Sequence, residues 1–175
     1  DAPTYTHEAV LYIEDNWDIH RRLRMNIGLR GSMYAVGGKV YPNLEPRVGL
    51  RVLLMKDLSF KASYQYVTQY LHLLSSSNVT LPIDLWVPVT ANIPPMHSHQ
   101  VVAGFFYNLF DLVDFSVEGY YKTMDNVLEY KDGASFVSST TGWEEKVNVG
   151  RGWSYGVEFL AQRTIGKFTG WVGYT

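Results

Sequence analysis

The sequence has no cysteine among its 175 residues. Disulfide scaffolds and zinc sites built from thiolates are therefore excluded, although the absence does not identify a cellular compartment. Charged residues are also scarce, at 18% of the chain, and the formal net charge is −2. Because nucleic-acid binding requires a basic surface that neutralises phosphates, this composition excludes nucleic acid as a partner.

Long hydrophobic runs are missing as well. No apolar stretch reaches the ~18 residues expected of a membrane-spanning helix, and no signal peptide is visible at the N-terminus. An outer-membrane β-barrel would show no such run either, because its strands are apolar on one face only. Since the sequence also stops at Thr175 inside an apparent strand, we expect it to be a piece of a longer protein.

Aromatic residues are abundant. They make up 15% of the chain, as 13 Tyr, 8 Phe and 5 Trp, and 15 Gly accompany them. Aromatic residues favour strands and Gly favours turns, so the composition predicts an all-β fold.

The segment PRVGLRVLLMKDLSFKASYQYVTQY, residues 46–70, alternates apolar and polar residues on both sides of Lys56-Asp57. A period of two places successive side chains on opposite faces, so the segment predicts two strands joined by a tight turn. Similar alternation predicts eight strands in all, at 8–18, 22–34, 46–54, 58–70, 100–108, from 113 onward, 153–163 and 167–175.

The predicted connections alternate in length. Those after strands one, three, five and seven are short, whereas those after strands two, four and six are long and cover residues 35–45, 71–99 and 131–152. All long loops then lie at one end of an antiparallel up-and-down meander, which is typical of outer-membrane barrels and not of Greek-key sandwiches. We therefore predict that residues 1–175 form one part of a transmembrane β-barrel.

Alternation alone does not tell which face meets water. Tyr and Trp near the strand ends favour a membrane barrel, because these rings suit the membrane interface, but they are also good strand formers. In a membrane barrel Leu50, Phe60, Val117 and Phe159 would lie on the outer surface instead of converging on a dry centre. A soluble all-β carbohydrate-binding module and a self-contained eight-stranded outer-membrane barrel remain alternatives.

Several stretches are similar to a known family: LYIEDNWDI, LEPRVGLRVLL, SFKASYQYVTQYLHLLSSS, LPIDLWVPVT, FSVEGYYKTMDNVLEYKDGAS and GRGWSYGVEFLAQRTIGKFTGWVGYT. Together they cover nearly the whole chain, and they resemble the barrel of TonB-dependent outer-membrane receptors of the Bacteroidetes type. The resemblance implies a parent barrel of about 22 strands with an N-terminal plug, in the outer membrane of a Gram-negative bacterium. Such a parent imports a scarce small-molecule or oligomeric nutrient with energy from TonB, and it is not an enzyme. Its partners would be the nutrient, its own plug domain, TonB and outer-membrane lipid.

The longest predicted connection carries the candidate ligand contacts. Tyr70 and His72 lead into it, and Asp84 and Trp86 follow. Aromatic and polar side chains on a rigid rim suit a ligand that stacks and is partly buried, so we predict these four residues as ligand-binding. The alternative is that the connection packs against itself, stiffened by Pro82 and Pro88.

Other candidate chemistry is weaker. His97 and His99 could share a metal ion, but a third ligand is missing nearby, so we predict a polar strand end and neither metal nor cofactor. Glu144 and Glu145 would project to opposite faces of a strand, and no Ser-His-Asp set stands out, so no catalytic residue is predicted. The arginines at 24, 30, 47 and 51 could line the barrel interior against the plug or an anionic substrate, but we favour pairing with Glu118 and Glu158.

Overall fold

The computed structural model describes residues 5–75, 84–131 and 142–175. These ranges contain ten strands and one 3₁₀ helix, η1 (Trp143–Lys146). The strands are β1 (Thr6–His20), β2 (Leu23–Val36), β3 (Lys39–Met55), β4 (Leu58–Gln69), β5 (Leu71–Ser75), β6 (Asp84–Pro88), β7 (Met96–Leu109), β8 (Val113–Tyr130), β9 (Val147–Arg163) and β10 (Gly170–Tyr174). No helix in the described ranges is long and apolar enough to cross a membrane.

Eight of the strands form one sheet in the order β1-β2-β3-β4-β7-β8-β9-β10. Every neighbouring pair is antiparallel. The predicted all-β meander is therefore confirmed. The two remaining strands, β5 and β6, form a separate antiparallel hairpin between β4 and β7.

The long connection predicted for residues 35–45 is wrong. β2 and β3 continue through this region and pair as far as Val36 and Lys39, so only Gly37 and Gly38 separate them. Both glycines have positive φ angles, 55° and 79°, which matches the type I′ turn whose twist suits a hairpin. The Gly-Gly pair is thus a hairpin signal, and β3 continues through Pro42 and Pro46.

The other two long connections are shorter than predicted. β7 begins at Met96 and β9 at Val147, because the neighbouring strands pair further than the sequence alternation indicates. At Asn126, which has a φ of 61°, β8 carries a bulge and then continues until Tyr130 pairs with Val147. Within the two connections, residues 76–83 and 132–141 lie outside the described residues.

The registers sort side chains into cross-strand rows, because residues directly opposite on neighbouring strands share a face. One row joins Phe60, Phe105, Val117 and Phe159 across β4, β7, β8 and β9. Val117 is 40% exposed and Phe159 47%. Leu50 lies on the same face, opposite Ala62 in the next row. These apolar side chains therefore lie on an open face and do not converge on a shared core.

Buried apolar residues form two clusters, and both include residues of the chain between β4 and β7. One cluster joins Tyr34 and Val36 of β2 with Tyr70 and Val89. The other joins hairpin residues with β8 and β9, as Leu74, Val87, Ile93, Leu128 and Val147. The hairpin is thus held by packing at two separate places.

Candidate functional site

The β5–β6 hairpin carries the four candidate ligand contacts or lies next to them. Its register pairs Leu71 with Pro88, His72 with Val87 and Leu73 with Trp86. Because alternate residues point to opposite faces, one side of the hairpin is buried and the other is exposed. The buried side includes His72, Leu74 and Val87, and the exposed side presents Leu71, Leu73 and Trp86, which are 51%, 42% and 60% exposed.

Tyr70, at the foot of the hairpin, is only 6% exposed. Its ring stacks on that of Tyr34, with centroids 4.7 Å apart and planes 6° from parallel. The carbonyl oxygen of Tyr70 accepts a hydrogen bond from the backbone N–H of Val89 at 2.9 Å. Stacking and hydrogen bonding together fix the position at which the chain leaves the sheet.

The Tyr70 hydroxyl is part of a chain of hydrogen bonds in which each residue donates to the next. The Asn43 amide donates to the Tyr70 oxygen at 2.9 Å, and the Ser32 hydroxyl donates to the Glu45 carboxylate at 2.9 Å. The 2.7 Å contact between Ser32 and Tyr70 must therefore have the Tyr70 hydroxyl as donor, because Ser32 has only one proton to give. The hydrogen bonds are therefore donated in the order Asn43 to Tyr70, Tyr70 to Ser32, and Ser32 to Glu45.

The carboxylate of Glu45 at the end of this chain is only 4% exposed. It accepts a hydrogen bond from Arg30 Nη1 at 3.1 Å, and Arg30 also lies 3.6 Å from Glu8. A buried carboxylate is costly unless it is paired and hydrogen-bonded, and Glu45 has both kinds of partner. Tyr70, at the foot of the hairpin, is thus hydrogen-bonded to a buried polar network in β2 and β3.

The predicted pairing of these arginines with Glu118 and Glu158 is wrong for Arg24 and Arg30. Arg24 pairs instead with Asp18 at 2.6 Å, and Arg30 with Glu45 and Glu8. The physical reason is the sheet order, because β3, β4 and β7 lie between β2 and β8.

His72 is the second buried candidate, at 3% exposure. Its Nε2 lies 3.2 Å from the carbonyl oxygen of Pro94, so the neutral ring donates a hydrogen bond to that oxygen. Burial lowers the pKa of His72 below its usual value, against a smaller opposing effect of the Pro94 carbonyl. The side chain is therefore a neutral anchor for the hairpin.

The chain that follows the hairpin contacts both halves of the sheet. The hydroxyl of Tyr41 in β3 donates to the carbonyl of Thr90 at 2.8 Å. The amide of Asn126 in β8 donates to the carbonyl of Pro95 at 2.9 Å. Residues 89–95 thus bridge β3 and β8, which are separated in the sheet by β4 and β7.

The structure brings the four candidates onto one short segment but places them differently. Tyr70 and His72 are buried, whereas Trp86 is exposed. Asp84 begins β6 opposite Ser75, and its side chain lies outside what the structure describes. Ser32, Asn43 and Glu45 were not predicted, because no spacing in β2 or β3 indicates that Ser32 and Asn43 contact Tyr70 or that Glu45 is buried beside them. That these four residues bind a ligand stays a prediction.

His97 and His99 contact tyrosines on the neighbouring strand. The Tyr66 hydroxyl lies 2.8 Å from Nδ1 of His97, and the Tyr64 hydroxyl lies 2.9 Å from Nδ1 of His99. The Tyr66 ring also packs against both imidazoles. Within the described ranges, no group of three or more His, Cys, Asp or Glu side chains is placed to hold a metal ion.

The apolar face changes character along the strands. After the Phe60 row comes a row of small and apolar residues, Ala62, Ala103, Gly119 and Val157. Two rows rich in aromatic residues follow, Tyr64, Val101, Tyr121 and Tyr155, then Tyr66, His99, Thr123 and Trp153. The next row, which we call the boundary row, consists of Thr68, His97, Asp125 and Arg151. In it Arg151 forms an ion pair with Asp125 at 3.0 Å. An apolar band thus ends in aromatic rings and then in charges.

The length of this band can be measured in residues. Toward the short turns it ends at a row of Leu58, Tyr107, Phe115 and Ala161, which we call the turn-end row. From Thr68 to Leu58 is ten residues, or roughly 34 Å along a strand at about 3.4 Å per residue. With the usual barrel tilt of about 40°, the boundary row and the turn-end row are about 26 Å apart in height, so the apolar and aromatic rows between them together span a distance close to the roughly 25 Å apolar band of outer-membrane barrels.

One protein family matches this chain along its whole length. Its description is "TonB dependent receptor-like, beta-barrel", and the match covers residues 1–175. No curated protein matches the chain in sequence.

Solved structures with the same fold are described as an iron transporter, a siderophore receptor and an outer-membrane receptor. The FrpB iron transporter from Neisseria meningitidis (F5-1 variant) has a TM-score of 0.66 and 19% identity, covering 96% of this chain and 25% of its own. The siderophore receptor PirA from Acinetobacter baumannii has a TM-score of 0.63 and 16% identity, with coverages of 92% and 26%. The alcaligin outer membrane receptor FauA from Bordetella pertussis has a TM-score of 0.58 and 16% identity, with coverages of 97% and 30%.

At these identities the likeness shows the fold alone. This chain spans less than a third of the length of each of the three proteins.

Proposed function

Since this chain belongs to the TonB-dependent receptor-like β-barrel family, we propose that it forms one section of the wall of an outer-membrane receptor. The whole receptor imports a scarce nutrient across the outer membrane of a Gram-negative bacterium, with energy delivered by TonB. Its plug domain fills the lumen, and the polar face of the sheet contacts that plug. The chain takes no part in a chemical reaction.

The observation that carries this proposal is the graded apolar face. Apolar rows followed by aromatic rows together span about 26 Å between the turn-end row and the charged boundary row, which fits a lipid bilayer. A soluble carbohydrate-binding sheet would bury one face against a second layer. In this chain, apolar side chains such as Val117 and Phe159 stay open along the full band.

The edges of the sheet support a larger barrel. β1 and β10 each have only one neighbour among the described strands. A spanning strand needs partners on both sides, because unpaired backbone groups are costly in lipid. We therefore assign the open edges of β1 and β10 to pairing with further strands of the parent barrel.

The hairpin supports ligand recognition at the end of the sheet opposite to the β3–β4 turn. Trp86, with Leu71 and Leu73, offers an apolar surface beyond the boundary row, and Asp84 starts the same strand. We assign ligand contact to Trp86 and Asp84, and the positioning of the hairpin to Tyr70 and His72. A small metal chelate is the first ligand class to test, since the FrpB and PirA descriptions name iron and a siderophore.

Uptake by whole cells tests this function. A strain lacking the full-length receptor should lose uptake of one radiolabelled ferric chelate out of a panel, and the full-length gene should restore it. Deleting tonB should abolish uptake in the restored strain to the same extent. Uptake that survives loss of tonB would refute TonB-energised import.

A further inference from the structure

Three cations lie side by side on the polar face of the sheet. The register places Arg24 of β2 opposite Arg51 of β3, and Arg51 opposite Lys61 of β4. Like charges directly opposite on neighbouring strands destabilise a sheet. An arrangement of this kind therefore requires either internal counter-ions or an anionic partner.

Internal partners account for only part of this charge. Arg24 is paired with Asp18 at 2.6 Å. Lys61 lies over the Phe106 ring, 3.8 Å from its centroid, a favourable contact that does not neutralise the ammonium. Within the described part of the chain, neither Arg51 nor Lys61 forms an ion pair.

A groove of about 530 Å³ opens beside these cations. Its lining includes Arg51, Lys61, Ser63 and Gly49. Gly49 lies between Asn26 and Ser63 in the adjacent row and has no side chain to fill the space. A Cβ at this position would meet only the Cβ of Asn26, at 3.7 Å. The missing side chain is what leaves the groove open between the two rows.

We propose that this groove is an anion-binding subsite for a small ligand that carries carboxylate or phosphate groups. Arg51 supplies a planar fork that suits bidentate contact, Lys61 supplies a point charge, and the Ser63 hydroxyl can donate a hydrogen bond. Asp18 and Glu118 also line the groove. Because Asp18 is already paired with Arg24, Arg51 and Lys61 leave the groove with an excess of positive charge over Glu118.

The position of the groove indicates when a ligand would reach it during import, an inference that rests on the proposed function. Arg51 and Lys61 lie within five residues of the β3–β4 turn, at the end of the sheet away from the hairpin. Because the plug of the proposed receptor fills the lumen, a ligand recognised at the hairpin reaches this part of the wall only by moving between the wall and the plug. The nutrient class is therefore anionic, and the groove holds it late in its passage.

Titration calorimetry of the full-length receptor in detergent tests the site, with citrate and inorganic phosphate as probes. Arg51→Gln should weaken binding of both probes roughly tenfold, the usual loss for one charge-assisted hydrogen bond. Lys122→Gln is the matched control. It removes one positive charge from a residue of β8 that lies outside the groove lining, opposite Gln100 and Ser154, and should change binding less than twofold.

Gly49→Val is a second variant that narrows the groove between Asn26 and Ser63 and keeps every charge. It should weaken probe binding at least as much as Arg51→Gln, and unchanged thermal unfolding would show that the barrel is intact. No binding by the unaltered receptor, equal weakening by Arg51→Gln and Lys122→Gln, or full binding by Gly49→Val would each overturn the subsite.

Different results would refute the anion-binding subsite and the import function. TonB-dependent uptake that is the same in Arg51→Gln and unaltered cells would refute the subsite and leave the import function standing. Probe binding at the groove, combined with uptake that does not depend on TonB, would refute the import function and leave the subsite standing.

Discussion

The Tyr70 ring lies parallel to that of Tyr34, 4.7 Å away, and its hydroxyl donates to Ser32 at 2.7 Å. Tyr70 therefore joins the foot of the hairpin to β2 by an apolar contact and a polar one at once. Because Ser32 in turn donates to the buried Glu45, the position of the hairpin depends on a polar network in the wall of the sheet.

Tyr70→Phe should loosen the hairpin without removing the stacked ring. The Ser32 hydroxyl loses its donor and the Asn43 amide loses its acceptor, at a cost of about 1–2 kcal/mol. Amide hydrogen exchange of β5 in the full-length receptor should become about tenfold faster, because local opening follows that free energy. Tyr107→Phe is the control, since Tyr107 is 43% exposed on the apolar face and its loss should leave β5 unchanged. Unchanged exchange in Tyr70→Phe would contradict the role of the hydroxyl.

Acidification should release the hairpin through His72. Burial lowers its pKa in the folded state, so below about pH 6.5, the ordinary value, the undocked hairpin binds the proton first. Docking is therefore fully stable above this pH and weakens as the pH falls, by up to about 1.4 kcal/mol per pH unit. Hydrogen exchange of β5 and β6 measured between pH 7 and pH 5, and corrected for intrinsic rates, should show this loss.

His72→Gln keeps a side-chain N–H that can reach the Pro94 carbonyl but cannot titrate in this range. The pH dependence of hairpin exchange should disappear in this variant. If it persisted, another group would be responsible.

Two exposed tryptophans provide a matched pair with different expected roles. Trp86 is 60% exposed on the hairpin, and Trp153 is 68% exposed on the apolar face. Trp86→Ala should weaken binding of the nutrient found by the uptake assay by tenfold or more, because a stacked aromatic contact is lost. Trp153→Ala should leave nutrient affinity unchanged and lower the thermal stability of the receptor in lipid. Equal affinities for Trp86→Ala and the unaltered receptor would remove Trp86 from the binding site.

Much of the fold could be predicted from the sequence because alternation with period two reports directly on strands. The turn at Lys56-Asp57 and the row that contains Phe60, Val117 and Phe159 follow from this pattern. The β2–β3 turn was missed because Gly37 and Gly38 indicate either a loop or a type I′ turn, and only pairing with a neighbour decides between them. Strand ends near Met96 and Val147 were missed for the same reason.

The candidate site was harder to predict because burial is a property of the three-dimensional arrangement. Tyr70 and Trp86 are both aromatic residues near the same connection, and nothing in their local sequence shows that one is buried and the other exposed. The burial of Glu45 was even harder to predict. A lone carboxylate among strand residues suggests a surface charge, and its burial follows only from contacts with Arg30 and Ser32 on the neighbouring strand.

Two adjacent residues of β8 that face opposite ways test whether the apolar face lies against lipid. The chain has no cysteine, so Val117→Cys and Glu118→Cys can each carry a single spin label in a cysteine-free full-length receptor reconstituted into lipid. We predict that the label at 117 collides mainly with oxygen dissolved in the bilayer, and the label at 118 mainly with a water-soluble nickel chelate. The reverse pattern, or equal access of the nickel chelate to both labels, would contradict an apolar face that lies against lipid.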